Sequence, residues 1–195
     1  MKKTYDSIFK LSYLLGVIPN RHKGRSLKPS TSTSLLLMRV AVDAKIEEFE
    51  KKSQAALTKL KEDEEFKDFD KEAARMEQMR GVFDRLKAHE EWEGEEEKRP
   101  ARPSDEEIEK AEEAKESEEK FNDMEAELTK RWNEARKALA QKEVTLEMQK
   151  LTRAELEDIV EVIGTEGMIE LTRMDGVKYE HPRILLLADI TRELA

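Results

Sequence analysis

The sequence predicts a mainly α protein: an elongated antiparallel helical hairpin of coiled-coil character, with a small C-terminal α/β cap containing one β-hairpin. Three observations predict it. Charged residues make up 42% of the 195 and the apolar set only 37%, against about 25% and about 45–50% in ordinary globular domains. The apolar residues recur every three or four positions along polar segments, as they do in a helix that buries a single stripe. Past residue 150 the pattern changes to short elements with strand and turn signals. A rod-like helical pair needs fewer apolar residues than a compact core does.

From the N-terminus, residues 5–18 (YDSIFKLSYLLGVI) read as a short apolar helix ended by Gly16 and Pro19. Residues 19–34 (PNRHKGRSLKPSTSTS) have loop chemistry, and the last Ser or Thr of the run is placed to cap the next helix. The first long helix is expected from about Leu35 to about Phe66, with Ile46 and Phe49 on its seam and Glu47/Lys51 and Glu48/Lys52 in the favourable i, i+4 order. A second, at about 69–91, carries Met76, Met79, Phe83 and Leu86 at spacings of three and four. Gly94, Pro100 and Pro103 then break the pattern.

Ser104 with Glu107 is a capping box opening a third helix, about 105–150. Met124, Leu128, Trp132 and Leu139 mark its seam, while its opening EEIEKAEEAKESEEK carries few large apolar residues. Thr152 with Glu155 is a second capping box, and the helix it opens stops at Gly164. MIELTR and VKYEH, joined by Met174-Asp175-Gly176, read as a β-hairpin, with Ile169 and Leu171 sharing a face with Val177 and Tyr179. Pro182 opens a last helix over 183–194. The expected division is therefore a basic N-terminal segment (1–34), a helical hairpin with its tip near 93–103 (35–150), and a cap (151–195).

Charge is segregated. Residues 1–40 hold eight basic residues against Asp6, a local +7 that leaves −16 for the rest of a chain whose total is −9. Arg21, Lys23, Arg25, Lys28 and Arg39 form the candidate contact surface for nucleic acid or an acidic partner, since fixed cations displace the counterions condensed on phosphates. The competing expectation is that this basic segment docks on acidic helices of its own chain or a neighbour; an acidic body makes that the favoured one.

Catalytic and cofactor chemistry finds no motif. With no cysteine, thiolate catalysis, disulfides and cysteine-based zinc sites are excluded. His89 in HEEWE lacks the second histidine of a zinc motif, and neither G-x-G-x-x-G nor a phosphate-loop signature occurs. No enzyme, metal, cofactor or small-molecule substrate is expected. No apolar run spans a bilayer. Lys10 interrupts the only stretch resembling a secretory signal, so a cytoplasmic setting is expected. A mitochondrial matrix protein, with the acid-poor first forty residues as a presequence, is the minor alternative.

The succession of a short apolar N-terminal segment, the basic serine-bearing NRHKGRSLKPSTSTS, long charged helices and ELEDIVEVIGTEGMIEL resembles small bacteriophage helical-hairpin proteins of unknown function. That resemblance covers most of the chain in pattern, contains no diagnostic motif and carries no catalytic residue across; the 93–120 insertion departs from it. It implies a structural, assembly or host-interaction role, in the host cytoplasm or the virion. The function expected is that of a non-enzymatic interaction protein, a homo-oligomer or part of a larger assembly. Nucleic-acid binding and an organellar assembly role are the alternatives.

Overall fold

The computed structural model describes residues 1–19, 21–22, 24–94, 96–172 and 177–194. The protein is 69% helical, with seven α-helices and a few small antiparallel strand pairs among the described residues. Contacts divide it into two compact units, Met1–Lys52 with Lys137–Ala195, and Ser53–Arg136. The N-terminal segment and the C-terminal cap, placed in separate domains by the sequence, thus share one unit and one core.

In the first unit, β1 (Lys2–Thr4) leads directly into α1 (Tyr5–Val17), whose amino end is capped by the Thr4 hydroxyl accepting from the Ser7 N–H. Ile8, Leu11 and Leu15 follow at helical spacing and are buried to 2% exposure or less. They join residues of the C-terminal third, Ile159, Ile163, Leu186 and Ile190 among them, in one hydrophobic cluster. β1 pairs antiparallel with β4 (Glu143–Thr145), Lys3 opposite Val144, and the Leu146 N–H donates to the Met1 carbonyl.

This pairing corrects the helix expected over 105–150. Helix stops at Ala140, and the next residues extend so that Val144 meets β1 and Leu146 sinks into the core at 1% exposure. Strand pairing and burial outweigh a weak local preference. The basic loop is also more ordered than expected. β2 (Arg21–His22) and β3 (Arg25–Ser26) pair antiparallel, with Gly24 between them at φ +84°.

The long α2 (Pro29–Lys61) starts six residues earlier than the sequence suggested and ends five before Phe66. Pro29 sits at the first helical position, where proline costs no hydrogen bond, and the carboxylate of Asp158 accepts the Lys28 N–H at 2.8 Å. A cap arriving from distant sequence makes the Ser/Thr run part of the helix. α6 (Arg153–Ile163) opens with the predicted capping box. β5 (Met168–Thr172) and β6 (Lys178–Pro182) pair antiparallel, Leu171 opposite Tyr179. Ile169 and Leu171 are buried, but Val177 lies outside the strand and is exposed, so it is not part of that face. The Met174-Asp175-Gly176 turn lies outside the described residues. α7 (Arg183–Leu194) completes the unit.

In the second unit, α3 (Phe69–Glu90) packs on α4 (Asp105–Lys115) and on the first turns of α5 (Glu118–Ala140) in the opposite chain direction. Arg85 meets Glu107, Arg80 meets Glu118, and the Phe69 ring stacks on Phe121 at 5.5 Å. Its core is Met76, Met79, Val82, Ala111, Ala114 and Phe121. α4 opens with the predicted Ser104/Glu107 capping box. Phe66, expected at a helix end, is instead a buried anchor in the α2–α3 turn, with the Arg131 guanidinium 5.1 Å from its ring centre.

A core deletion and an exposed deletion should separate sharply. Leu11→Ala is expected to lower unfolding stability by about 2–5 kcal/mol, whereas Leu36→Ala, at a residue 59% exposed, should stay within about 0.5 kcal/mol. Urea unfolding followed by circular dichroism measures both.

Candidate functional site

The basic head meets an acidic receiver inside its own unit. Asp158 on α6, only 3% exposed, takes the Lys28 N–H and lies 3.9 Å from the Lys28 ammonium. One turn earlier on the same helix, Glu155 accepts from the Ser34 hydroxyl at 2.5 Å. That bond, followed by the Thr152 backbone N–H, holds the Glu155 carboxyl below its ordinary range. Two carboxylates thus face the first turns of α2, where a helix presents unpaired N–H groups and a positive dipole end.

Of the five candidate contact residues, Lys23 lies outside the described residues and Arg21 is in β2. Arg25 is exposed and donates to the Glu161 carbonyl at 3.1 Å. Lys28 keeps a side chain 65% exposed beside Asp158. Arg39 donates to the Leu15 carbonyl at 2.7 Å, tying α2 to α1. Arg25, Lys28 and Arg39 are therefore each engaged within the chain, by a hydrogen bond or an ion pair.

The sequence did not single out Arg183, which anchors the same region from below. Its buried guanidinium donates to the carbonyls of Ile163 at 2.7 Å and Met168 at 3.0 Å, and to His22 Nε2 at 3.0 Å. It passes close over Gly164, where a Cβ would lie 3.2 Å from Arg183 Nη1 and where φ is +75°. Only glycine suits both conditions.

A second polar cluster binds α1 to the middle of α2. The buried Tyr5 hydroxyl donates to Glu48 at 3.0 Å, and the Lys52 ammonium bridges Glu48 at 2.6 Å and Tyr5 at 3.1 Å. Lys45, with Lys52 and then Tyr5 adding their own bonds, pulls the Glu48 carboxyl from the ordinary 4.5 to about 2. Around them the Tyr5 and Phe9 rings pack on Phe49 at 5.2 and 5.1 Å. This is a clamp between helices, and its residues line neither of the two hollows described below.

The seam residues divide between the two cores. Phe49 is buried in the first cluster, with Ile46 and Leu139 partly buried against it. Met76 and Met79 are buried in the second, with Phe83 and Met124 packed against it. Leu128 is buried, Leu86 is half-buried, and Trp132 is half-buried with its indole N–H donating to the Ser53 carbonyl at 3.3 Å.

Part of the outward surface is apolar. Leu36, Leu37 and Val40 are each 59% exposed on the side of α2 opposite its buried Leu35, Met38 and Val42. A hollow of about 540 Å³, lined by Leu15, Ile18, Leu27, Leu35 and Leu36 together with Ser26, Ser32 and Arg39, flanks this stripe. The run Leu35-Leu36-Leu37-Met38 was the available sign, because one helix face cannot bury four consecutive residues. On α7, Ile184 and Leu185 are exposed as well. In the second unit a groove of about 690 Å³ between α3 and α4 has Met79, Val82, Ala111 and Ala114 as its floor and Arg85, paired with Glu107, on its rim.

Among the described residues no group of three or more His, Asp or Glu is placed to hold a metal ion. No helix among them is long and apolar enough to cross a membrane. The chain matches no protein-family model, no curated protein and no solved structure.

Both polar clusters make measurable predictions. The Glu48 carboxyl titrates lower in the folded than in the unfolded chain, so its stabilising effect is complete above about 4.5 and is lost as pH falls toward about 2. Glu48→Gln is expected to flatten the loss of stability over that window, measured as urea midpoints from pH 2 to 7. Arg183→Met should cost about 1–3 kcal/mol through the buried Ile163 carbonyl it orphans, read from the same unfolding curves at neutral pH.

Proposed function

We propose that the chain is a non-enzymatic structural, assembly or regulatory interaction protein acting through coiled-coil and end-cap interfaces. The observation that carries the reading is the outward apolar stripe of α2, where Leu36, Leu37 and Val40 face solvent on a helix whose other face is already packed. An exposed apolar strip of this kind is a common mark of an interaction surface. The resemblance in pattern to small bacteriophage proteins adds a phage assembly or host-interaction role to the proposal.

Sedimentation equilibrium or multi-angle light scattering on the full chain tests it. The weight-average mass should climb above the 22.7 kDa of one chain as concentration increases, and Leu36→Lys with Val40→Lys should abolish the climb without lowering the unfolding midpoint measured at concentrations where the parent chain is monomeric. A constant monomer mass for the parent chain at every concentration would defeat the self-associating form of the reading.

A second reading is nucleic-acid binding through the basic head, favoured by the exposure of Arg25 and of the Lys28 side chain. Titration of labelled DNA and RNA at low and moderate salt separates the two. Phosphate contacts predict affinity that falls steeply with salt and with Arg25→Ala plus Lys28→Ala. Absence of binding even at low salt rejects this second reading.

A further inference from the structure

We infer that the stripe on α2 pairs with the same stripe of a second copy of this chain, in antiparallel register centred between Leu37 and Val40. The inference rests on the interaction reading above and names its partner. At about 100° per residue, Thr33, Leu37, Val40 and Ala44 fall on one narrow line of the helix, at spacings of four, three and four. All four are exposed, and Leu36 flanks them. That spacing is the seam of a two-helix coiled coil. The face behind it is occupied, since Leu35, Met38, Val42 and Phe49 belong to the core of the first unit.

Charge chooses the partner and its direction. The upstream end of the stripe is basic, with Arg25 exposed and the Lys28 side chain 65% exposed. The downstream end is acidic on balance, with Asp43 exposed and the Glu47 side chain 68% exposed beside its ion-pair partner Lys51. A parallel pair would set Lys28 near Lys28 and Glu47 near Glu47. An antiparallel pair sets basic end against acidic end twice over and opposes the two helix dipoles. The apolar line fits the same direction: Leu37 meets Val40 of the second copy, and Thr33 meets Ala44. A two-fold contact of this kind is self-complementary and closes, so association stops at the pair.

The absence of cysteine makes the register directly readable. Thr33→Cys and Ala44→Cys chains are prepared separately, then mixed in equal amounts and oxidised mildly. A disulfide forms only where the two Cα atoms come within about 7 Å. The antiparallel register predicts cross-linked dimer in the mixture, containing one chain of each type by mass spectrometry, and little when either variant is oxidised alone. Leu36→Lys added to both chains should remove the product. Self-cross-linking of Thr33→Cys alone would signify a parallel pair and overturn the inference. So would association of the parent chain, seen by sedimentation, with no cross-link in any arm; the interaction reading would then stand and this face would not be its seat. A parent chain that never associates would sink both.

Discussion

An α-helix can offer one stripe to one core, and α2 carries more apolar surface than that stripe can hide. Its inward line, Leu35, Met38, Val42 and Phe49, closes the core of the first unit. Its outward line, Leu36, Leu37 and Val40, is left in water. Most features of the first unit bear on how α2 is fixed. α6 supplies the carboxylates at its first turns, Arg39 fastens it to the Leu15 carbonyl, and Tyr5, Glu48 and Lys52 clamp its middle to α1. A helix held at three levels presents its free face with little conformational freedom left to lose, which favours binding.

The segregation of charge along the chain has a partly local resolution. Asp158 is buried, and an isolated buried carboxylate is costly unless hydrogen-bonded or paired. The Lys28 N–H and ammonium meet that need, so the acidic α6 and the basic head stabilise one another across about 130 residues of sequence. Arg183 does the reverse with a buried cation, satisfied by two carbonyls and a histidine nitrogen. By contrast the numerous i, i+4 pairs such as Glu47–Lys51 are exposed, and pairs of that kind contribute little to stability.

Local chemistry was legible where it was self-contained. Both capping boxes, the extents of α1, α3 and α7, and the strands around 168–172 and 178–182 arise from short-range signals that the structure repeats. What escaped depends on partners far away in sequence. The β1–β4 pairing joins residues about 140 apart, and nothing in EVT alone opposes helix strongly enough to announce it. The early start of α2 needs Asp158, and the role of Arg183 needs the carbonyls that ring it. The candidate surface was half visible: the Leu35–Met38 run signals surplus apolar area, but which of its residues face outward depends on where α1 and α6 pack.

The central claim, that the outward face of α2 is a contact surface, is tested most directly by hydroxyl-radical footprinting at low and high protein concentration. Oxidation of Leu36, Leu37 and Val40 should fall as concentration rises, while the similarly exposed Ile184 and Leu185 of α7 keep a constant rate. Unchanged oxidation of all five residues, or protection confined to α7, would contradict the account.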